Sequence, residues 1–344
     1  MSGEAPRVRF GAGLATSALS DEVDRLGARR VLVIATPREY ARSTALLAPL
    51  TDRVAGVFTA VLPHVPVEVA AAARDAAAHA EADLLLAIGG GSTVGTAKAI
   101  ALTAGVPILA VPTTYAGSEV TPVWGLTDEN GKTTGTDPRV RPVTVLYDPL
   151  LTRSLPLDES RLSGVNALAH CVDAFWAPAT SPEIRNEAEV AIRELADGLR
   201  TLDDDGTGRE PLLRGAMLAG LVFARSGSGL HHKICHVLGG RYALPHAPTH
   251  AVMLPHSYAF NAVAVPDAAR RIEAALGGVG PGAFERRLGV PLRLSDLGFD
   301  PGQIGPAAAA IAPAVPASNP RPVSVDDLVG ILTAAYYGEE EATP

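Results

Sequence analysis

Four short aliphatic runs punctuate the first half of the chain: RVLVIA (30–35), DLLLAI (83–88), PILAVP (107–112) and VTVLYDP (143–149). None alternates apolar with polar residues, so each reads as a strand covered on both faces, the pattern of a parallel sheet. Ala-rich stretches at 67–82 and 93–104 lie between them and read as helices. Such alternation predicts an α/β domain with right-handed crossovers. The pattern changes near Leu155. From Ser160 onward the strand-like runs disappear, and helix-period segments cover 164–176, 182–202, 211–225, 266–276, 282–288 and 323–337. The Ala/Pro-rich stretch 306–320 reads as short helices between proline stops, and the end, GEEEATP, as a frayed tail. The expected architecture is an N-terminal α/β domain over 1–156, with a mostly parallel sheet, and an all-helical C-terminal domain over 157–344.

A chain of 344 residues with 47% apolar and 19% charged residues has ample material for two cores. The net charge of −8, with no basic run, argues against nucleic acid as a partner. Two cysteines, Cys171 and Cys235, cannot build a disulfide framework and read as small core residues. The opening MSGEAPRVRFGAG has no apolar signal-like run and no stretch is long enough to span a membrane, so a cytoplasmic protein without a membrane partner is expected.

Directly after DLLLAI comes Gly89-Gly90-Gly91-Ser92, followed by the helix expected from Thr93. Glycines there let the backbone approach a phosphate, and the helix N-terminus offers free N–H groups. This spacing is not the G-x-G-x-x-G fingerprint, yet it points to a diphosphate. Gly11-Ala12-Gly13 follows no long β-run and reads as an early turn. Thr113 and Thr114 follow PILAVP and so also sit at a strand carboxyl end, where open α/β sheets bind ligands. After RVLVIA stand Thr36, Pro37 and Arg38. No acidic residue is there to grip a ribose diol, so either nicotinamide cofactor, NADH or NADPH, is expected, with weak preference.

The densest chemistry lies in GLHHKICHVLGGRYALPHAPTHAVMLPH (229–256), which holds six of the nine histidines. A lone buried histidine is ordinarily structural, but burying several together is costly without compensation. His232 and His236, four apart, share a helix face. Gly239-Gly240 is expected to end that helix, and Pro245-His246 to bring a third imidazole back. His231, His250 and His256 read as bystanders.

GGGST, PTTYAGSEVTPVWGLTDENGKTTG (112–135), SGVNALAHCVDAF (163–175) and the histidine stretch together resemble the iron-containing (group III) alcohol dehydrogenases. Within that superfamily they are most similar to the maleylacetate reductases. The resemblance implies a nucleotide-binding α/β domain, a helical domain, cofactor and active site in the cleft between them, and a homodimer. Metal-dependent members hold a divalent ion with one aspartate and three histidines. Those positions here are Asn166, His170, His232 and His246, with His236 matching a non-ligand histidine. Because Asn166 replaces the carboxylate by a dipole, the ion's charge would be uncompensated, and no bound metal is expected. If one were bound, its ligands would be His170, His232 and His246. Gly95 stands where metal-dependent members often carry an aspartate, a second departure in the same direction.

The reaction implied is reduction of maleylacetate, a small dicarboxylate from aromatic-ring breakdown, to 3-oxoadipate. Hydride from NADH or NADPH adds to the carbon β to the ketone, and the ketone oxygen becomes an enolate. Preplaced donors can stabilise that charge without a Lewis acid. His170, His232, His236 and His246 are the expected donors, one imidazolium delivering the proton. Asn166 is expected to orient a histidine or touch substrate, Lys233 to counter a carboxylate, and Tyr115 to add a hydroxyl. Gly89, Gly90, Gly91, Ser92, Thr113, Thr114, Ser118, Thr36, Pro37 and Arg38 are the expected cofactor residues. Lys98 reads as either a second counter-charge or a solvated residue. The alternatives are a metal-dependent alcohol or polyol dehydrogenase and a non-redox, synthase-like or nucleotide-binding relative.

Overall fold

The computed structural model describes residues 6–338 apart from 130, 204, 291 and 292, so the expected frayed tail lies almost wholly outside the described residues. The chain divides into two compact units, Met1–Pro156 and Leu157–Pro344.

The first unit is built on a six-stranded parallel sheet in the order β1-β8-β5-β4-β2-β3. Its strands are β1 (Arg7–Phe10), β2 (Val31–Ile34), β3 (Val54–Phe58), β4 (Leu84–Gly89), β5 (Ile108–Pro112) and β8 (Thr144–Tyr147). The four aliphatic runs became the interior strands β2, β4, β5 and β8, every residue of which is buried. That follows from helices covering both faces. The edge strands β1 and β3 escaped the hydrophobic pattern because RVRF carries two arginines and VAGVF is short, broken by a glycine and only partly buried. Helices α1 (Leu14–Arg25), α2 (Pro37–Arg42), α3 (Thr44–Leu47), α4 (Val67–His79) and α5 (Gly91–Ala104) join the strands. Gly13 takes φ 73° ahead of α1, so the Gly11-Ala12-Gly13 stretch is indeed a turn. The Asp148 carboxylate accepts from the Gly13 and Ala15 amides at 3.0 and 3.1 Å, tying that turn to the end of β8.

A hairpin, β6 (Val123–Asp128) and β7 (Gly131–Thr136), forms a separate two-stranded sheet. It docks through Leu126, which packs on Val65, Ala70 and Ala99, and through the Thr127 amide and hydroxyl, which donate to the Val65 and His64 carbonyls at 3.2 and 2.9 Å.

The chain leaves β2 toward β3 in one direction and β4 toward β5 in the other. The sheet therefore has a topological switch point between β2 and β4, and ligands of such sheets bind in the crevice beyond those carboxyl ends.

The second unit is helical throughout the described residues: α6 (Leu157–Ala174), α7 (Pro182–Thr201), α8 (Arg209–Ser226), α9 (Leu230–Tyr242), α10 (His246–Ala262), α11 (Pro266–Ala275), α12 (Pro281–Arg287), α13 (Ile304–Ile311) and α14 (Val325–Tyr337). Helix α7 begins where the Ser181 side chain accepts from the Ile184 amide at 3.2 Å and Pro182 fills the first position. One core joins α9, α10, α13 and α14 through Leu230, Ile234, Leu238, Met253, Ile311 and Leu332. The Ala/Pro stretch is α13 followed by a short 3-10 turn, as its prolines required.

One expectation fails here. Gly239 and Gly240 do not end α9; both lie within it, and the left-handed residue after it is Ala243, with φ 54°. The glycine pair signalled an end that side-chain packing of Leu238 and the turn to Leu244 overrode.

Candidate active site

In the first unit the glycine turn lies at the switch point. Gly89 takes φ 153°, and a Cβ there would stand 2.5 Å from Thr93 Oγ1. A Cβ on Gly90 would meet Thr114 Oγ1 at 2.9 Å. Only bare backbone fits between those two threonines. Helix α5 starts at Gly91, two residues earlier than expected, so Gly91 and Ser92 form its first turn and point free N–H groups into the crevice. Thr113 stays beside them, its amide donating to the Gly89 carbonyl at 3.1 Å. Thr36 caps α2, accepting from the Glu39 amide at 3.2 Å, with Pro37 at the first helical position. Arg38 gives one N–H to the Ser154 carbonyl at 3.1 Å.

A pocket of about 280 Å³ opens beside this turn, lined by Glu39, Ser43, Ile88, Thr113 and Leu151 among others. It is the crevice side of β2, β4 and β5. Glu39 was missed in the sequence because it lies five residues past β2, on α2 rather than at the strand end.

Two expectations in this unit need correction. Tyr115 is fully buried and its hydroxyl bonds Thr152 Oγ1 at 3.1 Å, so it braces the loop after β5 instead of facing solvent or a ligand. Lys98 is buried too, neither a solvated residue nor a free counter-charge. Its ammonium donates to the Ser118 and Val123 carbonyls, both at 2.7 Å, and lies 3.0 Å from Thr121 Oγ1 and 3.2 Å from Ser118 Oγ. Burial pulls its pKa down to about 7, with Glu119 opposing. Ser118 Oγ thus accepts from Lys98.

In the second unit, α6 carries Asn166, His170 and Asp173 at spacings of four and three, one helix face. Helix α9 supplies His231, His232, Lys233 and His236; α10 supplies His246, at its first position, and His250. His170 lies against His232 with ring centroids 4.9 Å apart, and Phe223 of α8 stacks on His170 at 4.7 Å. His236 is 6.1 Å from His232, and His250 is 4.5 Å from His246 and 5.1 Å from His232. The histidines therefore form one cluster. His231 and His250, read as bystanders, belong to its interior; His256 is partly buried on α10. Lys233 is also only partly buried.

The hydrogen bonds assign tautomers. His232 Nδ1 donates to Asp173 Oδ2 at 2.8 Å, so its Nε2 carries a lone pair. Ser257 gives its proton to the Met253 carbonyl at 2.9 Å and so accepts from His231 Nδ1 at 2.9 Å. His231 Nε2 then accepts from His250 Nδ1 at 2.9 Å, leaving the lone pair of His250 on Nε2. His232 Nε2, His250 Nε2, His170 Nδ1 and the Asn166 Oδ1 are buried without a hydrogen-bond partner. A cluster of unmet polar atoms is costly unless a ligand or proton meets them. Asn166 Oδ1 therefore does not rest on a histidine, as one alternative expected.

Electrostatics keep the empty cluster neutral. Burial holds the His232 imidazole well below its usual range, aided by His236, His246 and Lys233. Burial and the neighbouring imidazoles do the same for His170 and His250, and His231 falls to about 3. Asp173 was not anticipated. It accepts from the Gly229 amide at 2.7 Å as well as from His232; burial pushes its carboxyl up while those donors pull it back. Its signal in the sequence is its place seven residues after Asn166 and three after His170 on one helix face. Cys171 and Cys235 are buried free thiols, pushed up by burial and therefore inert.

At Asn166, His170, His232 and His246 the donor set is three imidazoles and an amide, without the carboxylate that the resemblance places at position 166; the Asp173 carboxylate lies behind His232. Among the described residues, the metal-capable group whose donor atoms all lie within 4.8 Å of one another is His231, Cys235 and His250, not His170, His232 and His246. No helix among the described residues is long and apolar enough to cross a membrane.

Residues 5–149 match the model of the iron-containing alcohol dehydrogenases, and residues 161–336 match that of the Fe-containing alcohol dehydrogenase family, C-terminal. The chain is 47% identical to maleylacetate reductase 2 of Cupriavidus pinatubonensis, covering 98% of this chain and 96% of the relative. It is 44% identical to maleylacetate reductase of Sphingobium indicum, with 96% of each covered. Among solved structures, the iron-containing alcohol dehydrogenase from Corynebacterium glutamicum superposes with a TM-score of 0.93 at 46% identity, covering 98% of this chain and 96% of that one. The maleylacetate reductase from Rhizobium sp. superposes with a TM-score of 0.89 at 40% identity, covering 97% and 96%. With both halves of its sequence matched and its whole length aligned, the chain belongs to the iron-containing alcohol dehydrogenase family, as an oxidoreductase of the maleylacetate reductase branch.

Proposed function

We propose that this protein reduces maleylacetate to 3-oxoadipate with a nicotinamide dinucleotide, without a bound metal, its imidazole cluster taking the place of the cation. Relatives more than 40% identical over nearly the whole chain carry the name of that activity. The observation that supports the metal-free part is Asn166, an amide with a buried, unpartnered Oδ1 where the resemblance places the metal-binding aspartate.

The bare Gly89–Gly91 backbone at the start of α5 would hold the diphosphate of a dinucleotide, which when bound would supply hydride for the carbon β to the ketone. Electrons move onto the ketone oxygen, and the resulting enolate is protonated at the adjacent carbon. One hydride and one proton are consumed, and the C=C bond becomes C–C. The His232 Nε2 is the proton carrier. Its Nδ1–H is held by Asp173, and a carboxylate there stabilises the imidazolium that must form when the dianionic substrate arrives. His250 has the same lone pair, but its chain runs through His231 and Ser257 to a neutral carbonyl, so a proton on it gains no such support. Asn166, His170, His236 and His246 complete the polar lining, with Lys233 a counter-charge at its edge. The homodimer implied by the resemblance remains part of this reading.

Binding a dianion to neutral imidazoles takes up a proton. Affinity for maleylacetate should then fall by about tenfold per pH unit on the alkaline side, above the substrate-raised imidazole pKa. Steady-state KM between pH 6 and 9 checks this; a KM flat across that range contradicts it.

A further inference from the structure

We propose that Glu39 selects NADH over NADPH, its carboxylate receiving the two hydroxyls of the adenosine ribose. The inference rests on the reading that the crevice binds a nicotinamide dinucleotide. No acidic residue follows β2 directly, yet α2 folds Glu39 back into the pocket beside the glycine turn. The Thr36 cap fixes the first turn of α2 through the Glu39 amide at 3.2 Å. Thr113, from the end of β5, gives the carboxylate a side-chain hydrogen bond from the opposite wall. Ile88, Leu150 and Leu151 supply the apolar wall that an adenine face requires. Glu39 is thus a partly desolvated carboxylate at a switch-point crevice, the place where an acidic group receives a ribose diol.

A 2′-phosphate would set up to two further negative charges against that carboxylate, where water screens poorly. Arg38 and Arg42 lie on the same helix and act electrostatically on Glu39. Their charges favour the ionised carboxylate, and Arg42, which also lines the pocket, would be placed to meet a phosphate once that carboxylate charge is removed. Burial pushes the Glu39 carboxyl up, with the two arginines and Thr113 opposing.

The experiment measures NADH and NADPH binding to the full chain by nicotinamide fluorescence, for the native protein, Glu39→Gln and Glu39→Asp. The native protein is expected to bind NADH at least about tenfold more tightly than NADPH. Glu39→Gln should erase that ratio by weakening NADH and strengthening NADPH. Glu39→Asp keeps the charge and should keep the discrimination while weakening NADH, which preserves a test if the Gln variant does not fold. A ratio unmoved within about twofold by Glu39→Gln, or a native preference for NADPH, overturns the assignment. Binding of neither nucleotide to the native protein overturns the cofactor reading, and this assignment with it.

Discussion

At the residue scale the account turns on Asp173 and Asn166, which share one face of α6 and treat the imidazoles in opposite ways. Asp173 holds His232 in the tautomer that leaves Nε2 bare and steadies the charge once a proton arrives. Asp173→Asn removes that support at nearly constant shape. Turnover of maleylacetate is expected to fall by roughly 10²- to 10⁴-fold, the contribution of a positioned general acid, with the alkaline limb of the pH profile shifted to lower pH. A change of less than threefold would remove His232 from the proton step. Asn166→Asp restores a carboxylate to the face where the Asn166 Oδ1 is unmet. It should raise affinity for zinc or iron and lower maleylacetate turnover, read by metal content and kinetics on the same preparation. Gly95 is a different case. A Cβ there would lie 2.8 Å from Val65 Cγ2, and Val65 is held at φ 50° by its own bonds to Leu62 and Thr127. Gly95→Asp should therefore overpack this turn by about 1–3 kcal/mol, seen as a lower Tm, whatever it does to a metal.

Helix α5 shows how much an element does beyond its own hydrogen bonds. In the proposed function its N-terminus would offer amides to the dinucleotide, and two turns later Lys98 fastens the 118–123 segment through two carbonyls. The cofactor loop after β5 is thereby held in register with the glycine turn. Lys98→Met leaves those carbonyls unmet. Nucleotide Kd should rise about tenfold or more, with kcat at saturation changed much less, the pattern of a positioning residue. The hydrophobic pattern made the interior strands and the second unit's helices legible, because burial on both faces or along one stripe leaves a period in the sequence. It could not show β1 and β3, edge strands with little to bury. Nor could it show the β6–β7 hairpin, whose Thr-rich strands dock through the Thr127 amide and hydroxyl and the Leu126 side chain. The site divides in the same way. Histidines and glycines are visible from spacing, whereas Glu39, Asp173 and the burial of Lys98 and Tyr115 depend on which helix faces which neighbour.

At the scale of the whole molecule, the imidazole cluster links acid stability to function. His231, His232 and His250 are held below their usual range by burial, His231 to about 3. The unfolded chain protonates them near pH 6.5 while the folded one does not, so the unfolded state binds more protons below that pH. Stability should therefore decline as pH falls below about 6.5, by up to about 1.4 kcal/mol per unit for each histidine. Tm measured from pH 7.5 to 5 should show that decline, and saturating dianionic substrate should blunt it by favouring the charged cluster. A Tm flat down to pH 5 would contradict the buried neutral assignment. Under the proposed function, the buried cluster that is unfavourable to protonate would become a proton store when the diacid enters.

The most direct test of that claim is the oxidation of NADH by maleylacetate before and after exhaustive chelation, with metal content measured on the same samples. Turnover unchanged at less than about 0.1 metal ion per chain is the predicted result. Loss of turnover on chelation, restored in proportion to added iron or zinc, would contradict it.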